Sequence, residues 1–473
     1  MKTSSSLFRN AFLYTFTNLL VKSTSFLLLP IFSHYIEPAE FGAFSILIAG
    51  YIIIVSCYLG AFQSAFSKIY LDETDELRKP KIISQFFSLT LIVSVPAALL
   101  CLAFANSISL SLFSNTNYVR IIQILSLSMV FDNFQTAALH IFKTQENAKK
   151  AVTYTAASAL LNFGITIVLL AGFNQGITAI ANAQFLSVLI VTIAMLRKIK
   201  VSFTLKFEKA IIVPFMKFAY PLMVAGIFTA LIDLVDRFLI KYYIDEKAVG
   251  IYSFSYRIAN IMNMFVISFR TAWTPHAIKL YRRYDYSTHF GTSFSKLIFI
   301  SLFIFLGVSL LIPHIFTIGL TSTTFLFNQS YHSGLVIIPL ILLAYLFNGI
   351  LSFFTVYPYI SGKSYHILIS DGIGLSVNIA ANIFLIPRLG LVGAALATLL
   401  SYLCSMIYMW SISIYHVNVK VNVNSFLLLT GISTLIFMVG QTYNSIFVSV
   451  TLLLLFLFWG VKLMGVNLLK QAG

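Results

Sequence analysis

An all-α, polytopic membrane fold is the fold class that this sequence predicts. The chain of 473 residues is 59% hydrophobic and 10% charged, which is far from the composition of soluble proteins. Its apolar residues gather in about fourteen stretches, most of them near the ~20 residues that a helix needs to cross a bilayer. Most Lys and Arg lie between these stretches, where cations orient a membrane protein, so the net charge of +16 does not predict a nucleic-acid partner.

The apolar segments fall into two blocks of six, followed by two more. Those of the first block are 11–33, 42–67, 84–105, 119–142, 151–172 and 177–196. Those of the second block are 219–242, 249–272, 293–313, 335–358, 365–386 and 391–414, and the closing segments are 425–441 and 444–462. The predicted organisation is therefore a lobe at 1–196, a basic cytoplasmic connector at 197–218, a lobe at 219–414 and two further transmembrane helices at 415–473.

The distribution of cations predicts that both termini are cytoplasmic. If the N-terminus is inside, 23 of the 31 Lys and Arg lie on the inner side and 4 on the outer side. The other 4 lie within segments, namely Lys22, Arg237, Arg257 and Arg270. The external loops are short, which argues against a soluble catalytic module outside the membrane.

An internal repeat supports the two lobes. YIEPAEFGAFSI at 35–46 aligns without a gap on YIDEKAVGIYSF at 243–254, and each copy joins the first and second segments of its block. A weaker match pairs 160–181 with 376–397, at corresponding segments and a similar offset. Because six crossings return the chain to its starting side, we expect the lobes to be related by an axis along the membrane normal, with a cleft between them.

Segment 8 carries the strongest functional signal, because polar residues share one face of a hydrophobic helix. At about 100° per residue, Ser253, Arg257, Asn260, Asn263 and Arg270 fall within a sector of roughly 140°. Guanidinium groups at membrane depth need a partner or a wet cavity, so this face is a candidate site for an anion bearing hydroxyl groups. In the structural alternative, Arg270 snorkels to the headgroups and Arg257 pairs with an acid on a neighbouring helix.

Other polar groups lie inside predicted segments. Lys22 and Asn18 share a face of segment 1 and are candidate substrate-binding residues together with Arg257, Arg270, Asn260 and Asn263. Asp233 and Arg237 have the i, i+4 spacing of an ion pair, although Asp233 is also a possible partner of Arg257. The candidates for ion coupling are Asp233, Asp236, Arg237 and Asp132.

The sequence predicts no cofactor and no metal. Cys57, Cys101 and Cys404 lie in separate apolar segments without a CxxC pair, and no GxxxxGK[ST] motif for ATP is present. We therefore expect a transporter rather than an enzyme, with neither catalytic residues nor metal ligands.

Three stretches carry a resemblance to a known family. They are YIEPAEFGAFSI at 35–46, DLVDRFLIKYYI with VGIYSFSYRIAN in segments 7 and 8, and NIFLIPRLGLVGAALAT at 382–398. They resemble the O-antigen and capsule repeat-unit flippases, which share a superfamily with multidrug and toxin exporters and with the lipid II flippase. Similar flippases have cavity cations on segments 1, 2, 7 and 8, a pattern that Lys22, Arg257 and Arg270 fit, whereas segment 2 lacks a cation here.

The resemblance implies a function in lipopolysaccharide and polysaccharide biosynthesis. An undecaprenyl-pyrophosphate-linked oligosaccharide would cross the bacterial inner membrane from the cytoplasmic to the outer leaflet, by alternating access through a cationic central cavity. Membrane lipids, a polysaccharide polymerase and a chain-length regulator are the implied partners. Two alternatives stay open, which are a multidrug exporter of the same fold and a membrane O-antigen polymerase or ligase.

Overall fold

The computed structural model describes residues 2–196, 206–281, 286–319, 326–361, 363, 365–414, 423–443 and 445–463. Seventeen α-helices lie in these ranges. They are α1 Lys2–Tyr35, α2 Pro38–Ser56, α3 Leu59–Asp72, α4 Lys79–Ala103, α5 Ala105–Phe113, α6 Val119–Thr144, α7 Ala148–Ile167, α8 Thr178–Leu196, α9 Lys209–Tyr243, α10 Glu246–Leu280, α11 Tyr286–Phe316, α12 Ile338–Phe354, α13 Val356–Ser361, α14 Tyr365–Leu389, α15 Leu391–Ile414, α16 Val423–Tyr443 and α17 Ile446–Leu463. A π-helix at Val168–Gly172 extends α7, and a 3-10 helix at Gln329–Ile337 precedes α12.

The predicted all-α, polytopic membrane fold is confirmed, since each of the fourteen predicted segments contains a helix. Among the described residues, nine helical stretches are long and apolar enough to cross a membrane, and α16 and α17 add two shorter apolar helices. Helices α1, α6 and α10 are outside this set although each has spanning length. Helices α6 and α10 carry several polar side chains in their middle turns, which lowers their mean hydropathy.

Two segments predicted as single helices are interrupted in the structure. Segment 2 is divided into α2 and α3 by a turn at Cys57 and Tyr58, where the Tyr58 amide donates to the Val55 carbonyl at 3.2 Å in a tighter 3-10 bond. Segment 10 is divided at Thr355 into α12 and α13. Most of the short helix α5 lies between the third and fourth predicted segments. Apolar length therefore located the segments but not their breaks.

The chain divides into two compact units, Met1–Leu231 and Ile232–Gly473. Helix α9 contributes residues to both, and it begins ten residues before the predicted start of segment 7. Its first turns are helical because Ile211, Phe215 and Ala219, spaced at four residues, pack into the core of the first unit. Residues 197–205 of the predicted connector lie outside the described residues, and the predicted lobe boundaries stay a prediction.

Aromatic packing forms the core of the first unit. Phe66 stacks on Phe86 with ring centroids 4.5 Å apart, and Phe62 meets Phe215 edge to face at 5.6 Å. Phe87 stacks on Phe134 of α6 at 5.9 Å. These contacts join α3, α4, α6 and the start of α9, and thereby hold the polar middle of α6 in place.

In the second unit, the small residues of GLVGAALATLLS at 390–401 bring α14 and α15 close together. Gly390 ends α14 with a φ of +57°, a left-handed conformation that glycine adopts without strain. A methyl group on Gly393 would lie 2.9 Å from the Ile386 amide nitrogen, so only glycine allows this backbone approach. The Ser401 hydroxyl donates to the Gly374 carbonyl at 2.7 Å, which fixes the register of the two helices.

Candidate functional site

The predicted polar face lies on helix α10. Such a face forms only if the helix is continuous. The Asp245 carboxylate caps the helix by accepting from the Ala248 amide at 2.7 Å, and the helix then runs without a break to Leu280. Uninterrupted helical periodicity places Arg257, Asn260 and Arg270 on one side. The helix thus presents the predicted stripe of amide and guanidinium groups.

Exposure increases along this face from the N-terminal to the C-terminal end of α10. Ser253 is buried, Arg257, Asn260 and Asn263 are half-buried, and Arg270 is exposed. The Asn263 side chain donates through Nδ2 to Oδ1 of Asn260 at 3.0 Å, so the two side chains form one polar patch. A ligand with several acceptor oxygens would find amide donors between the two arginines.

Arg257 lies in a strongly polar part of the second unit. Its guanidinium group interacts electrostatically with Arg237 and with the Tyr331 phenol. Two cations in one low-dielectric region repel each other, and an anion between or beside them would relieve that repulsion. Because Asp236 neutralises Arg237, as described next, Arg257 stays a candidate for binding a negatively charged group.

Arg237 has a buried acidic partner next to it in the sequence. The Arg237 Nη1 atom lies 3.1 Å from Asp236 Oδ1, and the side chains are only 11% and 1% exposed. The second carboxylate oxygen, Oδ2, accepts from the Tyr252 hydroxyl at 2.5 Å. The guanidinium group also lies over the Tyr256 ring, 4.9 Å from its centroid. Both oxygens of Asp236 are thus occupied by donors from its own unit.

The Asp233 side chain lies outside the described residues, as does that of Asn18. The ion pair predicted between Asp233 and Arg237 therefore stays a prediction, and the pair that the structure describes joins Arg237 to Asp236. The i, i+4 rule did not point to this partner, because adjacent residues on a helix seldom face each other.

Arg270 and Lys22 are the other predicted cations. Arg270 interacts electrostatically with Asp371 of α14, which is half-buried. Lys22 is half-buried in the middle of α1, in the first unit. In the second unit, Arg257 thus lies near the Asp236–Arg237 pair, whereas Arg270 lies about 20 Å further along α10, beside Asp371. Lys22 belongs to the other unit.

Asp132 lies at the centre of a separate polar cluster in the first unit. Its Oδ2 atom accepts from the Tyr51 hydroxyl of α2 at 2.6 Å. The next residue, Asn133, is fully buried and donates through Nδ2 to the hydroxyl of Tyr58, at the turn between α2 and α3. The sequence identified Asp132 but not the Tyr51 hydroxyl that binds it from 81 residues away, nor the bond from Asn133 to Tyr58, 75 residues away. No local spacing signals such contacts.

In the part of the chain that the structure describes, no group of three or more His, Cys, Asp or Glu side chains is arranged to hold a metal ion.

Comparison with known proteins gives a family and a fold. A family model described as polysaccharide biosynthesis protein matches residues 7–281, more than half of the chain. No curated protein matches the sequence.

Three solved structures of similar fold are informative. The lipid II flippase MurJ in an inward closed conformation has a TM-score of 0.77 at 16% identity, covering 96% of this chain and 99% of its own. An inward-facing multidrug resistance MATE family transporter of the MOP superfamily has a TM-score of 0.65 at 13% identity, with coverage of 83% and 94%. A MOP superfamily transporter from Pyrococcus furiosus, described as having a binding pocket of reverse polarity, has a TM-score of 0.60 at 12% identity, with coverage of 85% and 95%. At these identities the likeness shows a shared fold alone.

Proposed function

The chain belongs to the polysaccharide biosynthesis protein family, and from that membership we propose that it is a lipid-linked oligosaccharide flippase. It would move an undecaprenyl-pyrophosphate-linked repeat unit, such as that of O-antigen, from the cytoplasmic to the outer leaflet of the bacterial inner membrane. The observation that carries this proposal is the polar face of α10, where Arg257 and Arg270 flank Asn260 and Asn263 on a helix of spanning length.

The physical task explains why such a face is needed. A pyrophosphate with a sugar attached must cross about 30 Å of hydrocarbon, where an unpaired charge is prohibitively costly. Arg257 and Arg270 supply planar guanidinium forks that match phosphate oxygens, and Lys22 is a further candidate cation. Asn260 and Asn263 supply donors and acceptors for sugar hydroxyls. The isoprenoid tail remains in lipid throughout.

Alternating access completes the proposed mechanism. The headgroup enters a cationic cavity that is open to the cytoplasm, and the protein then changes to a state open on the other side. No covalent chemistry on the sugar or phosphate is required, so we propose a transporter rather than an enzyme. Energy is supplied by a gradient or by downstream consumption of the product, for example by a polymerase and a chain-length regulator.

Reconstitution tests the proposal directly. Purified protein in proteoliposomes should expose a labelled lipid-linked oligosaccharide to an impermeant reagent, whereas protein-free liposomes should not. The label should keep its original size. Elongation or transfer of the sugar would instead identify a polymerase or ligase, and export of cationic drugs without lipid translocation would identify a multidrug exporter.

The orientation in the membrane is tested with reporter fusions. We expect fusions after Arg120 and after Gln329 to report the outer side, and fusions after Arg78 and after Arg283 to report the cytoplasm. The physical reason is the excess of Lys and Arg in the loops assigned to the inside. The opposite pattern, or an external C-terminus, would contradict the proposed topology of fourteen crossings with both termini inside.

A further inference from the structure

The Asp132 cluster in the first unit is not used by the substrate-binding face of α10. Asp132 is the fourteenth of the 26 residues of α6, so it lies about 20 Å from each end of the helix. Its side chain is half-buried, as is that of Tyr51. A carboxylate at this depth cannot face hydrocarbon without great cost, so we expect this side of α6 to meet water.

No cation among the described residues forms an ion pair with Asp132. The groups that interact with it are the phenols of Tyr51 and Tyr58, and Cys57 lies beside Tyr58 at the same turn. Helices α5 and α8 contain no titratable residue. On the other helices packed around α6, and on α6 itself, the remaining titratable groups lie towards the ends, namely Glu40, Lys68, Tyr70, Asp72, Lys79, Lys81, Cys101, Arg120, His140, Lys143, Lys149, Lys150 and Tyr154.

The hydrogen bonds of the cluster suit a carboxyl group that gains and loses a proton. Tyr51 donates to Oδ2 whether or not the other oxygen is protonated, so this contact holds the side chain in both states. Without a countercation, the ionised form needs water, whereas the protonated form tolerates a dry environment. The fully buried Asn133 Oδ1 has no hydrogen-bond partner among the described residues, which marks a place where water would supply the missing donor.

The cluster also lies at a point where the backbone can bend. Tyr58 belongs to the turn that divides α2 from α3, and Asn133 holds its hydroxyl. A methyl group on Gly226 of α9 would lie 2.8 Å from the Ser56 carbonyl, so α9 packs directly on this turn. The turn therefore connects the cluster to α9, the helix that continues to Asp236 and Arg237.

We propose that Asp132 is the proton-binding site that couples a proton gradient to transport. The carboxylate takes a proton from hydronium on the side to which the substrate moves, forming an O–H bond at Oδ1, and returns it to water on the cytoplasmic side. When Asp132 is protonated, the cluster can lose its water and the first unit can close. When Asp132 is ionised, the cluster needs water. The coupling rests on the flippase function proposed above, whereas proton binding itself does not.

Proton binding is tested without any transport. An infrared titration of the purified protein should show a protonated-carboxyl band that is absent in the Asp132→Asn variant. Asparagine retains an acceptor for the Tyr51 hydroxyl, so this variant should fold normally. Tyr51→Phe should shift the frequency of the band without removing it. Glu40→Gln, a change at a half-buried acid of the same unit, should leave the band in place. An unchanged band in Asp132→Asn would overturn the proposal.

Coupling is tested in proteoliposomes with the labelled lipid-linked oligosaccharide. A pH gradient, acid on the side that receives the substrate, should raise the translocation rate of the wild type and of Glu40→Gln several-fold, and should leave the rate of Asp132→Asn unchanged. A wild type that translocates at the same rate without the gradient, or that responds only to a sodium gradient, would overturn the inference and leave the proposed function standing. If no lipid is translocated under any condition, the proposed function fails, and the infrared titration still decides proton binding.

Discussion

Replacement of Arg257 by alanine is expected to abolish translocation while protein abundance stays near normal. If the guanidinium group holds a pyrophosphate through two charge-assisted hydrogen bonds, each worth about 1.5 to 3 kcal/mol, their loss should lower the rate at least about a hundredfold. Translocation in proteoliposomes and abundance in the membrane should be measured on the same preparations.

Arg257→Lys separates charge from shape. The ammonium group keeps the positive charge but lacks the planar fork, so only part of the activity should remain. Arg388→Ala is a matched control, because Arg388 is an exposed arginine in the last turn of α14 and does not belong to the polar face of α10. Normal surface polysaccharide in Arg257→Ala at normal expression would contradict the substrate-binding role.

A structural role for Arg257 predicts a different result. If Arg257 instead pairs with Asp233, removal of the arginine leaves an unpaired acid at depth, at a cost of roughly 3 to 5 kcal/mol. The protein would then be lost from the membrane, and an added Asp233→Asn change should rescue it. The single and double variants therefore distinguish an arginine that binds substrate from one that stabilises the fold.

The fold could be predicted from the sequence because its main determinant is hydrophobic length. Each segment of about 20 apolar residues became a helix, since backbone polar groups have no other way to be satisfied in hydrocarbon. The turn at Cys57 and Tyr58 could not be predicted, because residues 42–67 contain no proline and the Tyr58 hydroxyl finds its partner, Asn133, on a distant helix.

The candidate site was predictable only in part, for a related reason. Helical periodicity is a local property, so the shared face of Arg257, Asn260 and Arg270 follows from the sequence. Contacts between helices do not follow from spacing. The Tyr51 hydroxyl that binds Asp132 and the Asp371 carboxylate that interacts with Arg270 both required the packed structure.

Replacement of Arg237 by alanine is expected to destabilise the folded protein and not only to lower its transport rate. Asp236 is 1% exposed and would keep the Tyr252 hydroxyl as a donor but lose the guanidinium group that neutralises it. Breaking a buried ion pair from one side typically costs about 3 to 5 kcal/mol, a large fraction of the stability of most proteins. Abundance in the membrane and the unfolding temperature in detergent should both fall.

A double variant shows whether the cost comes from the unpaired charge. Asp236→Asn combined with Arg237→Met removes both charges and keeps comparable volume, so it should recover much of the lost stability. Tyr252→Phe removes one hydrogen bond to a carboxylate and should cost less, about 1.5 to 3 kcal/mol. If Arg237→Ala is instead abundant and stable but inactive, the pair does not hold the fold together. It would then belong with the residues that couple ions to transport, the other role that the sequence predicts for Asp236 and Arg237.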